Sequence, residues 1–343
     1  MHGLQTGISY GDRLIWMSDD ELGSALDTAT YVGATLVRAD LSWEDIQPTG
    51  PDGYSWFLFD RVVAAAKARG LTVLPVLAYT PAWARPDGCA SDRCGPRDLA
   101  AFAAFARAAA ERYMPRGVHT WEIWNEPNTS EFWGPAADPH AYTALLTATS
   151  KALRDVDPRA FVVLGGLAPA STGAGDVEQT EFLAQVSRLG GNRVVDAVGY
   201  HPYTYPLLPS SETGWGTAWE KIDQTPVSLR SVLAEFGTPD LPVWITEVGA
   251  PTGGPGEAAD GSSEATGPTT HVTEALQARI AADAVHAAAA EPSIRTLIWY
   301  SDRDQVSAAP TSEDFYGLYR TDGSAKPALC ALHEAITRSP CPE

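Results

Sequence analysis

The chain has 343 residues, 44% of them hydrophobic, enough to bury a sizeable core, and no linker divides it, so one domain over residues 1–343 is expected. Its 24 basic against 43 acidic residues leave a net charge of −19, which argues against nucleic acid or an anionic membrane surface as partner and suits a neutral substrate. No run of about 18 apolar residues marks a membrane span.

In chain order, short apolar runs alternate with stretches of helical periodicity, the pattern of repeated strand and helix units around a parallel sheet. Eight strands are predicted: Leu4 to Ser9, Ala34 to Asp40, Thr72 to Tyr79, Val118 to Glu126, Phe161 to Leu167, Val194 to His201, Leu241 to Glu247 and Arg295 to Ser301. The helices between them run Asp20 to Val32, Trp56 to Arg69, Asp98 to Tyr113, Pro139 to Val156, Glu181 to Leu189, Pro226 to Phe236 and Val272 to Ala290, and a last one, Pro327 to Thr337, closes the set. Eight units fit a (β/α)8 barrel of the TIM type better than an open sheet, and no glycine-rich dinucleotide fingerprint follows the first strand. Pro202 to Thr225 and the glycine- and proline-rich stretch Gly249 to Thr270 read as long loops after strands six and seven, the latter over the barrel mouth.

The four cysteines form two sequence-local pairs, Cys89 with Cys94 and Cys330 with Cys341, though four cysteines allow three connectivities. Local pairing is favoured and implies an oxidising, secreted setting. Met1-His2-Gly3-Leu4 does not read as a signal peptide, so a secreted protein is expected to have had its leader removed. No histidine stands near either pair with zinc spacing, no loop has calcium spacing, and neither metal nor other cofactor is expected.

On a barrel, working residues sit at the C-terminal ends of strands, and polar residues concentrate there: Arg38 and Asp40, Tyr79, Asn125 and Glu126, His201 and Tyr203, Glu247, then Trp299, Ser301 and Asp302. Two glutamates ending strands four and seven supply what glycosidic hydrolysis needs, one carboxyl to protonate the leaving oxygen and one carboxylate to attack carbon or activate water. Glu126 is taken as the proton donor. Glu247 has to stay ionised, so hydrogen-bond donors should gather around it, with Arg38 a candidate. Strict alternation would send Asn125 and Glu126 to opposite faces, so the backbone is expected to turn before Pro127. Glu122, deeper in the same strand, is read as a structural carboxylate.

The motifs Trp124-Asn125-Glu126-Pro127-Asn128 and Trp244-Ile245-Thr246-Glu247 make the chain resemble the clan A glycoside hydrolases over nearly its whole length, family 39 and related cellulase-like bacterial enzymes most of all. The resemblance implies a retaining double displacement with Glu126 as acid/base, Glu247 as nucleophile and Asn125 on the sugar 2-hydroxyl. It further implies that Arg38 and Tyr203 orient the nucleophile, that His201 is the clan histidine of strand six, and that Trp299 is the aromatic platform of strand eight. Tyr79-Thr80-Pro81-Ala82-Trp83 departs from the clan, where some families carry histidine at the end of strand three.

Trp43, Trp83, Trp124, Trp133 and Trp299, at or beyond strand ends, are candidate sugar platforms, whereas Trp16, Trp56 and Trp121 read as packing. Asp302 and Asp304 are candidates for sugar hydroxyls. The favoured function is cleavage within a polysaccharide chain by a monomeric enzyme; the alternatives are an exo-acting glycosidase or an arabinan-type furanoside hydrolase, and least of all a barrel that only binds carbohydrate.

Overall fold

A computed structural model describes residues 3–261 and 269–342. Eight parallel strands close into a barrel in sequence order: β1 (Gln5–Ser9), β2 (Leu36–Ser42), β3 (Thr72–Ala78), β4 (Thr120–Ile123), β5 (Phe161–Leu167), β6 (Ala197–Tyr200), β7 (Val243–Val248) and β8 (Ile294–Tyr300), with β8 pairing back on β1. The helices are α1 (Asp19–Tyr31), a short α2 (Trp43–Ile46) that the sequence pattern does not predict, α3 (Phe57–Ala68), α4 (Leu99–Tyr113), α5 (Pro139–Val156), α6 (Gln179–Arg188), α7 (Leu229–Glu235), α8 (Glu274–Ala290) and α9 (Pro327–Thr337). Every predicted strand and helix is present. The fourth and sixth strands are shorter than expected at both ends, beginning at Thr120 and Ala197 and ending at Ile123 and Tyr200.

Local chemistry starts the helices where the sequence suggests. Ser18 and Glu21 form a reciprocal capping box on α1, and the Asp98 and Asp138 carboxylates accept from the first free amides of α4 and α5. Each such cap contributes about 0.5–2 kcal/mol.

Period-two alternation then sorts side chains between two cores. Leu36, Leu74, Val163, Ala197, Trp244 and Ile298 point inward and plug the barrel, with Trp244 stacked on Phe161 at 5.0 Å. Their neighbours point outward into a larger layer between strands and helices, where Trp43, Phe102, Phe105, Trp121 and Trp299 are buried. The same inward parity carries Ser9, Arg38, Asp40, His201 and Tyr300 above the plug, toward the mouth.

The ladder is irregular at three places, one between Val243 and Trp244 at the start of β7 and two near its C-terminal rim. Register shifts between Leu164 and Leu167 on β5 and between Ile245 and Val248 on β7 re-aim the side chains beyond them. Both long connections, after β6 and after β7, are present, and residues 262–268 of the second lie outside the described residues.

Cys89–Cys94 and Cys330–Cys341 are disulfides, with no free cysteine among the described residues. Thiol titration of the unfolded, unreduced protein is therefore expected to find no free sulfhydryl, and four free thiols would contradict both pairings.

Candidate active site

The end of β4 turns as Pro127 suggested. Trp124 and Glu126 take positive φ angles of 71° and 44°, and Tyr79 at the end of β3 has 66°. Left-handed backbone costs a non-glycine residue on the order of 1–3 kcal/mol, and such strain collects at functional sites. The chain is held in the turn by backbone hydrogen bonds to the flanking strands, Trp124 N to Leu77 O of β3 at 2.9 Å and Glu126 N to Gly166 O of β5 at 2.9 Å. Asn125 and Glu126 consequently both line one cleft.

Arg38 organises the floor of that cleft. Its Nε and Nη2 donate to the two oxygens of Glu122 at 2.6 and 3.1 Å, Nη2 also donates to Asn125 Oδ1 at 2.8 Å, and Nη1 donates to Glu247 Oε1 at 2.5 Å and to Ser9 Oγ at 3.3 Å. All five guanidinium N–H groups are thus used. Glu122 is the structural carboxylate expected, fully buried and also accepting from Gly166 N at 2.8 Å.

Glu247 is brought to Arg38 by the shifted register of β7. Its Oε1 also accepts from Ser9 Oγ at 3.2 Å, and its Oε2 accepts from the Tyr203 hydroxyl at 2.9 Å. Burial alone pushes this carboxyl upward, but His201, Arg38 and the two hydroxyls outweigh it and hold Glu247 below the usual glutamate value.

His201 is fully buried, its Nδ1 2.8 Å from Glu126 Oε1 and its Nε2 3.0 Å from Thr246 Oγ1. Room for its ring is left by Gly166, where a Cβ would come within 2.0 Å of Nε2. The pair Gly165-Gly166 inside an otherwise apolar strand is the sequence signal for this close approach.

Ligand-type atoms of Glu126, His201 and Glu247 all lie within 4.8 Å of one another. Such a group has the donor set for a cation, but the Arg38 guanidinium already occupies Glu247 and opposes a second positive charge there.

The cleft, of about 650 Å³, contains Arg38, Tyr79, Asn125, Glu126, Tyr203 and Glu247. The tryptophan assignments are corrected. Trp299 is fully buried because alternation on β8 turns it outward to the helices, and the cleft receives Tyr300 instead. Trp43 and Trp124 are likewise fully buried, and Trp133 packs edge-on against Trp124 at 5.0 Å and Tyr142 at 5.7 Å. Trp83 is half-buried, donates to Gln47 O at 2.7 Å and lies outside the cleft lining.

Asp302 and Asp304 are also withdrawn from solvent. Asp302 accepts from Arg13 Nη2 at 2.8 Å, and Asp304 from Lys326 Nζ at 2.6 Å. Conversely Trp16, read as packing, is exposed on the cleft wall.

Other groups complete the lining. Asp40, at the mouth end of β2, accepts from the Tyr79 hydroxyl at 3.1 Å, and burial pushes its carboxyl up to about 7. Tyr205 comes from the loop after β6, and Glu313 and Tyr316, which no sequence motif marks, come from the connection between β8 and α9. Among its described residues, the loop after β7 supplies none.

The sequence model of the cellulase family, glycosyl hydrolase family 5, matches residues 2–300. The chain belongs to this family. Within the family 5 chain, 148 residues are 34% identical to a β-xylosidase of Geobacillus stearothermophilus, a match covering 40% of the chain and 27% of that relative. Its fold is that of a family 39 glycoside hydrolase from the gut symbiont Bacteroides cellulosilyticus, with TM-score 0.74 and 23% identity over 98% of this chain and 64% of that one. It is also that of the GH5_18 enzyme from Streptomyces cattleya solved in complex with GlcNAc, with TM-score 0.71 and 19% identity over 100% and 82% of the two chains. The family 5 chain thus spans less than two thirds of the length of the β-xylosidase and of the Bacteroides enzyme.

Removing one member of a buried ion pair strands the other in low dielectric. Glu122→Ala is expected to destabilise the protein by about 3–5 kcal/mol, measured by urea unfolding; a loss under about 1 kcal/mol would mean that Arg38 does not depend on Glu122.

Proposed function

We propose that the protein is a retaining glycoside hydrolase acting on β-linked glycans, with Glu126 as acid/base and Glu247 as nucleophile. The observation carrying this reading is the closeness of the two carboxyls, one oxygen of each lying within 4.8 Å of the other. Retaining enzymes place them roughly 5–5.5 Å apart, whereas inverting enzymes need about 6.5–9.5 Å for an intervening water.

In the first step Glu247 attacks the anomeric carbon as the bond to the leaving oxygen breaks, and the Glu126 proton goes to that oxygen. An ester between sugar and Glu247 results. In the second step Glu126, now a carboxylate, takes a proton from water, whose oxygen attacks the same carbon and releases Glu247. Two inversions give net retention.

Arg38, Tyr203 and Ser9 hold Glu247 ionised and aimed, His201 positions Glu126, and Asn125, itself held by Arg38, faces the sugar 2-hydroxyl. Asp40, with a value near 7, is able to donate to or accept from a sugar hydroxyl.

The substrate class we favour is a neutral β-linked polysaccharide of the xylan type, cut within the chain. The acidic lining, with Asp12, Glu44, Asp45, Asp92, Glu131 and Glu313 beyond the reacting pair, disfavours anionic sugars, and a cleft walled from the turn after β1 to the connection after β8 suits several sugar rings. A second reading, exo action on short oligosaccharides, is supported by the relative named a β-xylosidase. The two disulfides support an extracellular setting.

Reducing-sugar release from xylans, glucans, mannans and arabinans, with product sizing, tests the reading. Cleavage of xylan to mixed oligomers is expected, release of single sugars alone would favour exo action, and proton NMR should find the β-anomer first. An initial α-anomer would rule out retention. Glu126→Gln is expected to lose about 10²–10⁴-fold on the polysaccharide, and less on an aryl glycoside whose leaving group needs no proton; equal losses on both would remove Glu126 from the acid role.

Glu247 must be ionised to attack, and its lowered pKa extends activity to the acid side. Tyr203→Phe removes one of the donors that lowers it, so the acid limb of kcat/KM should move to higher pH. An unmoved limb would show that Tyr203 does not tune Glu247.

A further inference from the structure

The turn Arg13–Trp16 after β1 is fastened from several directions. Leu14 and Ile15 are buried, Arg13 pairs with Asp302 at 2.8 Å, Arg61 Nη2 donates to Met17 O at 2.8 Å, and Ser18 caps α1 directly behind. On this rigid base the indole of Trp16 is nevertheless 62% exposed and lines the catalytic cleft. Among the described residues no aromatic ring stacks on it. Holding so large an apolar surface in water on a fixed support is unfavourable unless something covers it.

Its surroundings indicate what that is. Trp16 takes no part in the hydrogen bonds that hold Glu126 and Glu247, which come from Ser9, Arg38, Tyr203 and His201. The acidic groups lining the same cleft include Asp12, four residues before Trp16 in the turn after β1, and Glu44 and Asp45 from α2 after β2, with Glu44 also paired to Arg85 at 2.6 Å. A flat apolar face bordered by hydrogen-bond acceptors complements a sugar ring, which has an apolar C–H face and a rim of hydroxyl donors. It repels a uronic acid.

We propose that Trp16 forms the platform of a remote subsite, binding a neutral sugar of the same β-linked chain at least one ring away from the bond that is cut. The inference rests on reading the cleft as a glycoside hydrolase site, and it makes chain length a determinant of binding. Trp16 is here a specificity-determining residue that takes no part in the bond-making steps.

The test uses the full chain with β-1,4-linked xylohexaose, cellohexaose and xylobiose as probes. In the Glu126→Gln variant, which binds without rapid turnover, mass-spectrometric mapping of tryptophan oxidation should find Trp16 protected at least about threefold by a hexasaccharide and not by xylobiose. Trp215, 72% exposed and outside the cleft lining, is the internal control and should stay unprotected.

In the active enzyme, Trp16→Ala should lower the ratio of xylohexaose to aryl β-xyloside kcat/KM about tenfold, and Trp16→Phe should restore most of it. Trp16 left unprotected by both hexasaccharides, or an unchanged activity ratio in Trp16→Ala, overturns the subsite. Protection of Trp16 without hydrolysis of any probe by the wild type supports the subsite and counts against the hydrolase reading instead.

Discussion

A single guanidinium, that of Arg38, is shared between a carboxylate below it and a carboxylate above it, and the arrangement of the barrel mouth depends on that sharing. Taking a charge out of water costs several kcal/mol, which is offset only where every donor finds an acceptor in good geometry. Arg38 meets that condition by directing its five N–H groups to Glu122, Asn125, Glu247 and Ser9. Glu122 is therefore the inner half of a clamp, and Glu247 the outer half that faces the cleft.

Backbone irregularity gives the clamp its shape. A regular strand shows alternate residues to the mouth, so a regular β4 would present either Asn125 or Glu126, and a regular β7 either Thr246 or Glu247. Positive φ at Trp124 and Glu126 and the register shift on β7 bring both members of each pair inward. Gly166 lies where these irregularities meet. Its amide donates to Glu122, its carbonyl accepts from Glu126, and its missing side chain leaves the space that His201 fills.

Outside this floor the cleft is built by connections held in place by buried ion pairs. Lys326 Nζ donates to Asp304 at 2.6 Å and to Thr252 Oγ1 at 2.7 Å, joining the connections after β7 and β8 and so fixing the segment that carries Glu313 and Tyr316. Arg13 with Asp302 does the same for the turn that carries Trp16. Two aspartates that look from sequence like sugar ligands are thus the anchors of residues that line the cleft.

The barrel, the family and the two glutamates were legible in the sequence by itself, because hydrophobic periodicity is a local property and because Glu126 and Glu247 stand in short motifs at strand ends. The same holds for Arg38, Tyr203 and the structural place of Glu122. Which aromatics face the cleft was not legible. Trp299 and Tyr300 are adjacent, and one residue of parity decides which of them is buried; Trp16 and Trp133 sit in connections whose path no period predicts. Only the tertiary structure decided these, since parity at a strand end follows from bulges and from packing across the barrel, and the course of a connection follows from ion pairs between residues as far apart in sequence as Arg13 and Asp302.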